Sequence, residues 1–176
     1  MMSNVSTVVQ LGVVVGLLSP PLLAQIWPSL LLSGVVVAGF AVVAVRAARQ
    51  VPAEVVTPQG RAFEPKQALL FVAIVALVML ASAALQGWLG NGALAVALAV
   101  SGFADTHSAA ATTAQLFATG HLQPRAATSL IALALTTNTI TKIGLAWASG
   151  GRAYTLRLLP GVVAMLVAFV LALWLF

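Results

Sequence analysis

A carboxylate, an imidazole, an amide and an ammonium group sit in the second half of this chain, at Asp105, His107, Asn138 and Lys142, with apolar sequence around them. A carboxylate can bind a cation or a proton, an imidazole can relay a proton, and amide or hydroxyl oxygens can complete a ligand shell. Asp105 is the last of only three acidic residues, and it falls thirteen residues from each end of the apolar segment 92–118. If that segment crosses a bilayer as a helix, the carboxylate lies near the midplane, where an ionised side chain costs roughly 2.5–3.5 kcal/mol on insertion scales. Such a residue marks a candidate functional site.

The surroundings of Asp105 are polar as well, with Ser101, Thr106, His107, Ser108, Thr112, Thr113 and Gln115 close by. In a continuous helix Ser101, Asp105, Ser108 and Thr112 share one stripe. His107 then points away from Asp105, because residues two apart do not face each other. A ligand pair made by these two needs an unwound segment or a facing copy, and Gly102 supplies a place for a break. A second cluster, Thr136-Thr-Asn-Thr-Ile-Thr-Lys142, lies in the segment 125–148. Asn138 and Lys142 share a face there, with Thr141 beside them. The short connection 121–124 makes the two segments an antiparallel pair, setting Asp105 against Asn138, with Lys142 one turn further out.

These placements define expected roles. Asp105 is the cation- or proton-binding carboxylate and the only metal candidate. Asn138, Ser101, Ser108, Thr112 and Thr141 are neutral ligands or pathway lining, Lys142 is the counter-charge to Asp105, and His107 is a proton relay. No cofactor is expected. The plainer alternative is that the hydroxyls bond their own backbone or join helices, at about 0.6 kcal/mol per contact. An Asp–Lys pair can also serve assembly alone. No P-loop, dinucleotide fingerprint, zinc-protease motif or nucleophile elbow is present. Two of the three acids fall in a polar loop, so no carboxylate pair exists for glycoside hydrolysis. The chain is not expected to be an enzyme.

The elements that must position these groups are membrane helices. The chain is 61% hydrophobic and 6% charged, far below the quarter of charged residues typical of soluble domains. Several apolar runs reach the roughly twenty residues needed to cross the hydrocarbon core. The expected architecture is one all-α integral membrane domain over 1–176. Its six transmembrane helices cover about 4–18, 28–45, 67–86, 92–118, 125–148 and 158–176, with a polar loop at 46–66. The net charge of +5 reflects loop bias, since no basic stripe interleaves with aromatics as nucleic-acid binding requires. With Arg46, Arg49, Arg61, Lys66 and Arg125 on one side and Arg152 and Arg157 on the other, the positive-inside rule places both termini in the cytoplasm. The setting is a multi-pass protein of a bacterial inner membrane, with the lipid bilayer as its surroundings and a homo-oligomer, a dimer in the first instance, as its assembly.

An offset of 132 residues sets Thr7 on Thr139, Gly12 on Gly144, Pro28 on Pro160 and Val35 on Val167. An even number of spans separates the copies, so the expected relation is a partial parallel repeat, with the first two helices resembling the last two. The first copy lacks the leading pair of helices present in the second. Small residues at four-residue spacing, such as Gly12 and Gly16, allow close helix approach.

At Gly102-Phe-Ala-Asp-Thr-His-Ser108, Asn138-Thr-Ile-Thr-Lys142, Gly150-Gly-Arg152 and Leu85-Gln-Gly-Trp-Leu-Gly90 the chain resembles a known group. This is the C-terminal membrane domain of unknown function that is often fused behind an MgtC/SapB-type domain. That group usually shows a second acid two residues after the first, where this chain has His107. The resemblance implies no settled activity. Its link to divalent cations through MgtC is an association, and the imidazole at position 107 suits Mg²⁺ poorly because that ion prefers oxygen ligands. The functional expectation is a transporter or channel for a small ion or polar solute, with the site around Asp105. The rivals are a non-transporting scaffold or regulatory subunit, and half of a split transporter completed by a second membrane chain.

Overall fold

A computed structural model describes residues 2–49, 69, 73, 76, 77, 80, 98, 100–103 and 105–175. Most of the expected third span at 67–86, most of the polar loop and the turn at 87–92 lie outside these residues. Among the described residues the chain is helical with short turns: α1 (Met2–Leu18), α2 (Pro20–Arg49), α3 (Thr106–Ala118) and α4 (Pro124–Leu175). Among the described residues three helical stretches are long and apolar enough to cross a membrane, at Pro20–Arg46, Pro124–Ala148 and Gly151–Leu175, and Ser3–Leu18 is a shorter apolar helix.

The α1–α2 junction follows from proline chemistry. Pro20 disfavours the α conformation for Ser19 and cannot donate a backbone bond. The Ser19 N–H closes α1 on the Val15 carbonyl, and its own carbonyl accepts from Leu22 and Leu23 at 3.0 Å. Pro20 and Pro21 then occupy the first turn of α2, where missing N–H groups cost nothing. The expected start of this helix at Pro28 is therefore corrected to Pro20, and Pro28 sits inside the helix. A similar correction applies near the C-terminus. The helix expected to begin at 158 resumes at Gly151, whose φ of 70° and ψ of 177° reverse the chain in a single residue. Glycine adopts that φ without strain. Arg152 and Arg157 stand on the resumed helix, not in a loop.

Both junctions make antiparallel hairpins. In the first, a Cβ built on Gly16 would meet Leu23 Cδ2 at 3.0 Å, and one on Gly12 would meet Leu30 Cδ1 at 3.5 Å. In the second, Ala127, Ile131 and Leu135 join Met165 and Phe169 in one buried cluster with Leu11, Val15, Leu22 and Ile26. The hairpins pack chiefly through α2 and α4, and α3 sits against α1 and α4. Large apolar side chains such as Leu17, Val35, Val43 and Trp174 face outward, as a lipid-facing surface requires.

Side-chain contacts fix the relative directions. Asn4 and Thr7 of α1 meet Lys142, whereas Pro28 of α2 and Trp174 share a groove with Arg125. Lys142 and Arg125 lie seventeen positions apart on one helix, about 25 Å. The beginning of α1 and the end of α4 are thus at opposite ends of the bundle, which corrects the expectation that both termini share a side. In addition, α1 runs against the first half of α4. The helices matched by the 132-residue offset are antiparallel, so the parallel sense of the repeat is also corrected.

Candidate functional site

The segment expected to form one span at 92–118 does not continue as a straight helix. Leu98, Val100 and residues 101–103 are helical, Asp105 is extended (φ −154°, ψ 114°), and α3 starts at Thr106. Ser101 Oγ and Ser108 Oγ lie 3.4 Å apart. Seven residues of unbroken helix advance about 10.5 Å, more than two serine side chains can bridge. The chain therefore doubles back between the limb at 100–103 and α3. Leu98 on the incoming limb and Ala109 on the outgoing limb belong to one buried cluster with Leu130 and Ala134 of α4. Among the described residues the two limbs lie side by side and form a helical hairpin with its apex at Asp105. Its apex stands beside Ala134, Thr137 and Thr141, around the middle of Pro124–Ala148, which puts Asp105 about halfway along the bundle.

Local chemistry explains why the chain turns there. The Asp105 carboxylate accepts from the backbone N–H groups of His107 at 2.9 Å and Ser108 at 3.0 Å, capping α3. Asp is among the best capping residues because its oxygen replaces a missing helical acceptor. The Asp105 N–H in turn closes the incoming limb on the Ser101 carbonyl at 2.8 Å. Ser108 Oγ donates to the Asp105 carbonyl at 3.1 Å.

The apex is braced against α4. Thr141 Oγ1 donates to the Phe103 carbonyl at 2.9 Å and also to the Thr137 carbonyl at 3.2 Å. Thr106 Oγ1 reaches the Ala134 carbonyl at 3.4 Å. Gly102 permits the contact. A Cβ there would lie 2.8 Å from Ala134 Cα and 2.9 Å from its carbonyl oxygen, and nearer still to Thr137 Oγ1. Non-helical backbone survives at membrane depth only where protein or a cavity covers it, and these contacts provide the cover.

The structure gathers Asp105, Ser101, Ser108 and Thr141 at the apex. Asn138 lies on the α4 stripe between Ala134 and Thr141, both of which touch the hairpin. It is half-buried and makes no hydrogen bond among the described residues. Thr112 is one turn further along α3, donating to the Ser108 carbonyl at 3.0 Å. His107 is half-buried, and its Nδ1 is sealed with no hydrogen-bond partner.

Lys142 departs from the expected pairing with Asp105. Its Nζ donates to Asn4 Oδ1 at 3.2 Å and to Thr7 Oγ1 at 2.6 Å. No ion pair joins it to Asp105 among the described residues. Asn4 and Thr7, both buried, are the polar residues that the sequence reading missed. Their signal was present, because positions three apart in a helix share a face, and both lie in the polar first half of α1. Among the described residues no three His, Cys, Asp or Glu side chains converge, so an ion at this apex would meet mostly neutral oxygens.

No curated protein and no solved structure matches this sequence. A family model does match, over residues 1–150, which include α1, α2, the hairpin at Asp105 and the first half of α4. The chain belongs to the domain of unknown function DUF4010.

Proposed function

We propose that this chain is a membrane transporter or channel that binds a small ion or polar solute, in the first instance a cation, at the hairpin apex. The observation that carries this reading is the extended residue Asp105, halfway along the bundle, where two helical limbs meet. Membrane proteins place discontinuous helices where half-helix ends and freed carbonyls contact a cargo. Each Asp105 oxygen spends one acceptor site on capping and keeps a second for a cation. Asn138, Ser101, Ser108 and Thr141 supply neutral oxygens around it, Thr112 lies on the approach, and His107 holds or passes a proton. Lys142, tied to α1, sets a nearby positive charge that limits occupancy by further cations.

The internal offset supports the same reading. With 132 residues added, the Ser19 break falls on Gly151, the reversal of the second hairpin. Opposed hairpins of this kind suit the inverted-topology repeats on which many secondary transporters are built. Arg46, Arg152 and Arg157 share the end at which α1 begins, so by the positive-inside rule we assign that end to the cytoplasm of a bacterial cell. A homodimer and the MgtC association belong to the same proposal.

One observation favours the rival reading of a non-transporting scaffold: the carboxylate is already engaged as a helix cap. Asp105→Asn separates the two, because Asn caps as well as Asp but carries no charge. In liposomes loaded for cation and proton flux, the substituted protein should fold and lose flux at least tenfold. Wild-type flux in a folded Asp105→Asn protein would refute the carboxylate mechanism.

A further inference from the structure

The end of the bundle opposite Lys142 carries a feature that the transport reading does not use. Two adjoining grooves of about 510 and 660 Å³ share Arg125, Thr128, Leu173 and Trp174 as walls. Ser129 lines the first, and Gln25 and Trp27 line the second. Their size is in the range of small-molecule sites.

The lining is chemically one-sided. Among the described residues Arg125 is the only Lys or Arg at this end, and its side chain makes no hydrogen bond or ion pair. The one acidic residue described, Asp105, lies halfway along the bundle instead. Ser129, Gln25 and the two indole N–H groups add neutral donors. Trp27 and Trp174 are 52% and 85% exposed. Tryptophan at a helix end belongs at the headgroup level, where its ring is half in hydrocarbon and half in water. An unpaired guanidinium in a groove shared with two such rings, with an apolar wall along Val170 and Leu173, complements an anion attached to acyl chains.

We propose that this groove binds the headgroup of an anionic phospholipid. The Arg125 fork takes the phosphodiester in the bidentate geometry that guanidinium favours, Ser129 donates to it, and the acyl chains run along Leu173 and Val170. A basic pocket between membrane helices is the form such recognition takes.

The test uses the full chain with Trp88 and Trp147 replaced by phenylalanine, leaving Trp27 and Trp174 as reporters. Their fluorescence is measured in vesicles containing brominated phosphatidylglycerol or brominated phosphatidylcholine. Quenching should favour the anionic lipid about fivefold, the equivalent of roughly 1 kcal/mol for one arginine near an anionic surface. Arg125→Gln should abolish that preference with helical circular dichroism unchanged, and Arg125→Lys should keep part of it. Equal quenching by the two lipids in the parent protein overturns the proposal, whether or not the Gln variant folds. So does a preference that survives Arg125→Gln in a folded protein. Displacement of the preference by excess inorganic phosphate at constant ionic strength would assign the site to a soluble anion and sink the lipid. Absence of quenching by either lipid would mean that protein covers the groove, with the same consequence.

Discussion

The chain turns back on itself at Ser19 and again at Asp105, and the two turns are built differently. At Ser19 two prolines stop one helix and open the next, near an end of the bundle. The Ser19 hydroxyl is buried without a partner, so it adds no strength to the turn. At Asp105 the turn lies halfway along the bundle, and nearly every group is engaged: the carboxylate with two N–H groups, Thr141 with the Phe103 carbonyl, Gly102 flush against Ala134. A turn at the edge needs only backbone chemistry. A turn in the interior needs side chains from another helix, because an unmet backbone group there costs several kcal/mol. That outlay, repeated at every step of the apex, is the physical argument that the break serves a purpose.

The comparison can be broken most forcefully at Gly102. Gly102→Ala forces a methyl into the backbone of Ala134, and about 3 kcal/mol of destabilisation is expected, read as a large loss of thermal stability in detergent. If the variant is as stable as wild type, the close approach at the apex is wrong. Asp105→Ala removes the cap and should cost about 1 kcal/mol, whereas Asp105→Asn should stay within a few tenths. Denaturation of the two proteins side by side separates capping from charge, and equal losses would show that the charge itself holds the turn. Thr141→Val frees the Phe103 carbonyl and should cost about 0.6 kcal/mol, with hydrogen exchange near residue 105 rising first. Ser19→Ala should change stability by less than about 0.5 kcal/mol. A larger loss there would mean that the edge turn also depends on its side chain.

Much of the architecture was legible in the sequence. The apolar composition gave the membrane class, the Ser19-Pro20-Pro21 run gave the first turn, and Gly150-Gly-Arg152 placed the last reversal within a residue or two. The hairpin at Asp105 was not legible from hydropathy, because a segment broken at its centre has the same composition as an unbroken one. Two local signals pointed to it. The segment 92–118 is longer than one span needs, and an Asp directly before a run of helix formers is a start signal for a helix. Asp105, Ser101, Ser108 and Thr141, which meet at the apex, could be named beforehand because polar residues cluster in two largely apolar segments. Lys142 was assigned the wrong partner because charge suggested Asp105, while geometry offered two neutral oxygens on α1. Straight-helix reasoning could not see that choice, since it depends on where α1 packs.

The bond from Lys142 to α1 also imposes an order in time. Its two acceptors lie 138 and 135 residues earlier in the chain. At about 5–20 residues per second of synthesis, Asn4 and Thr7 wait roughly 7–28 s before their lysine emerges. Until then the Asn4 side chain of a helix of only 17 residues waits for its lysine, while Thr7 Oγ1 donates to the Ser3 carbonyl at 2.8 Å. The first hairpin is therefore a provisional structure during biogenesis, and its final seating is among the last events of assembly. Any ribosome pause placed between these two regions prolongs the interval in which quality control can act on the unfinished protein.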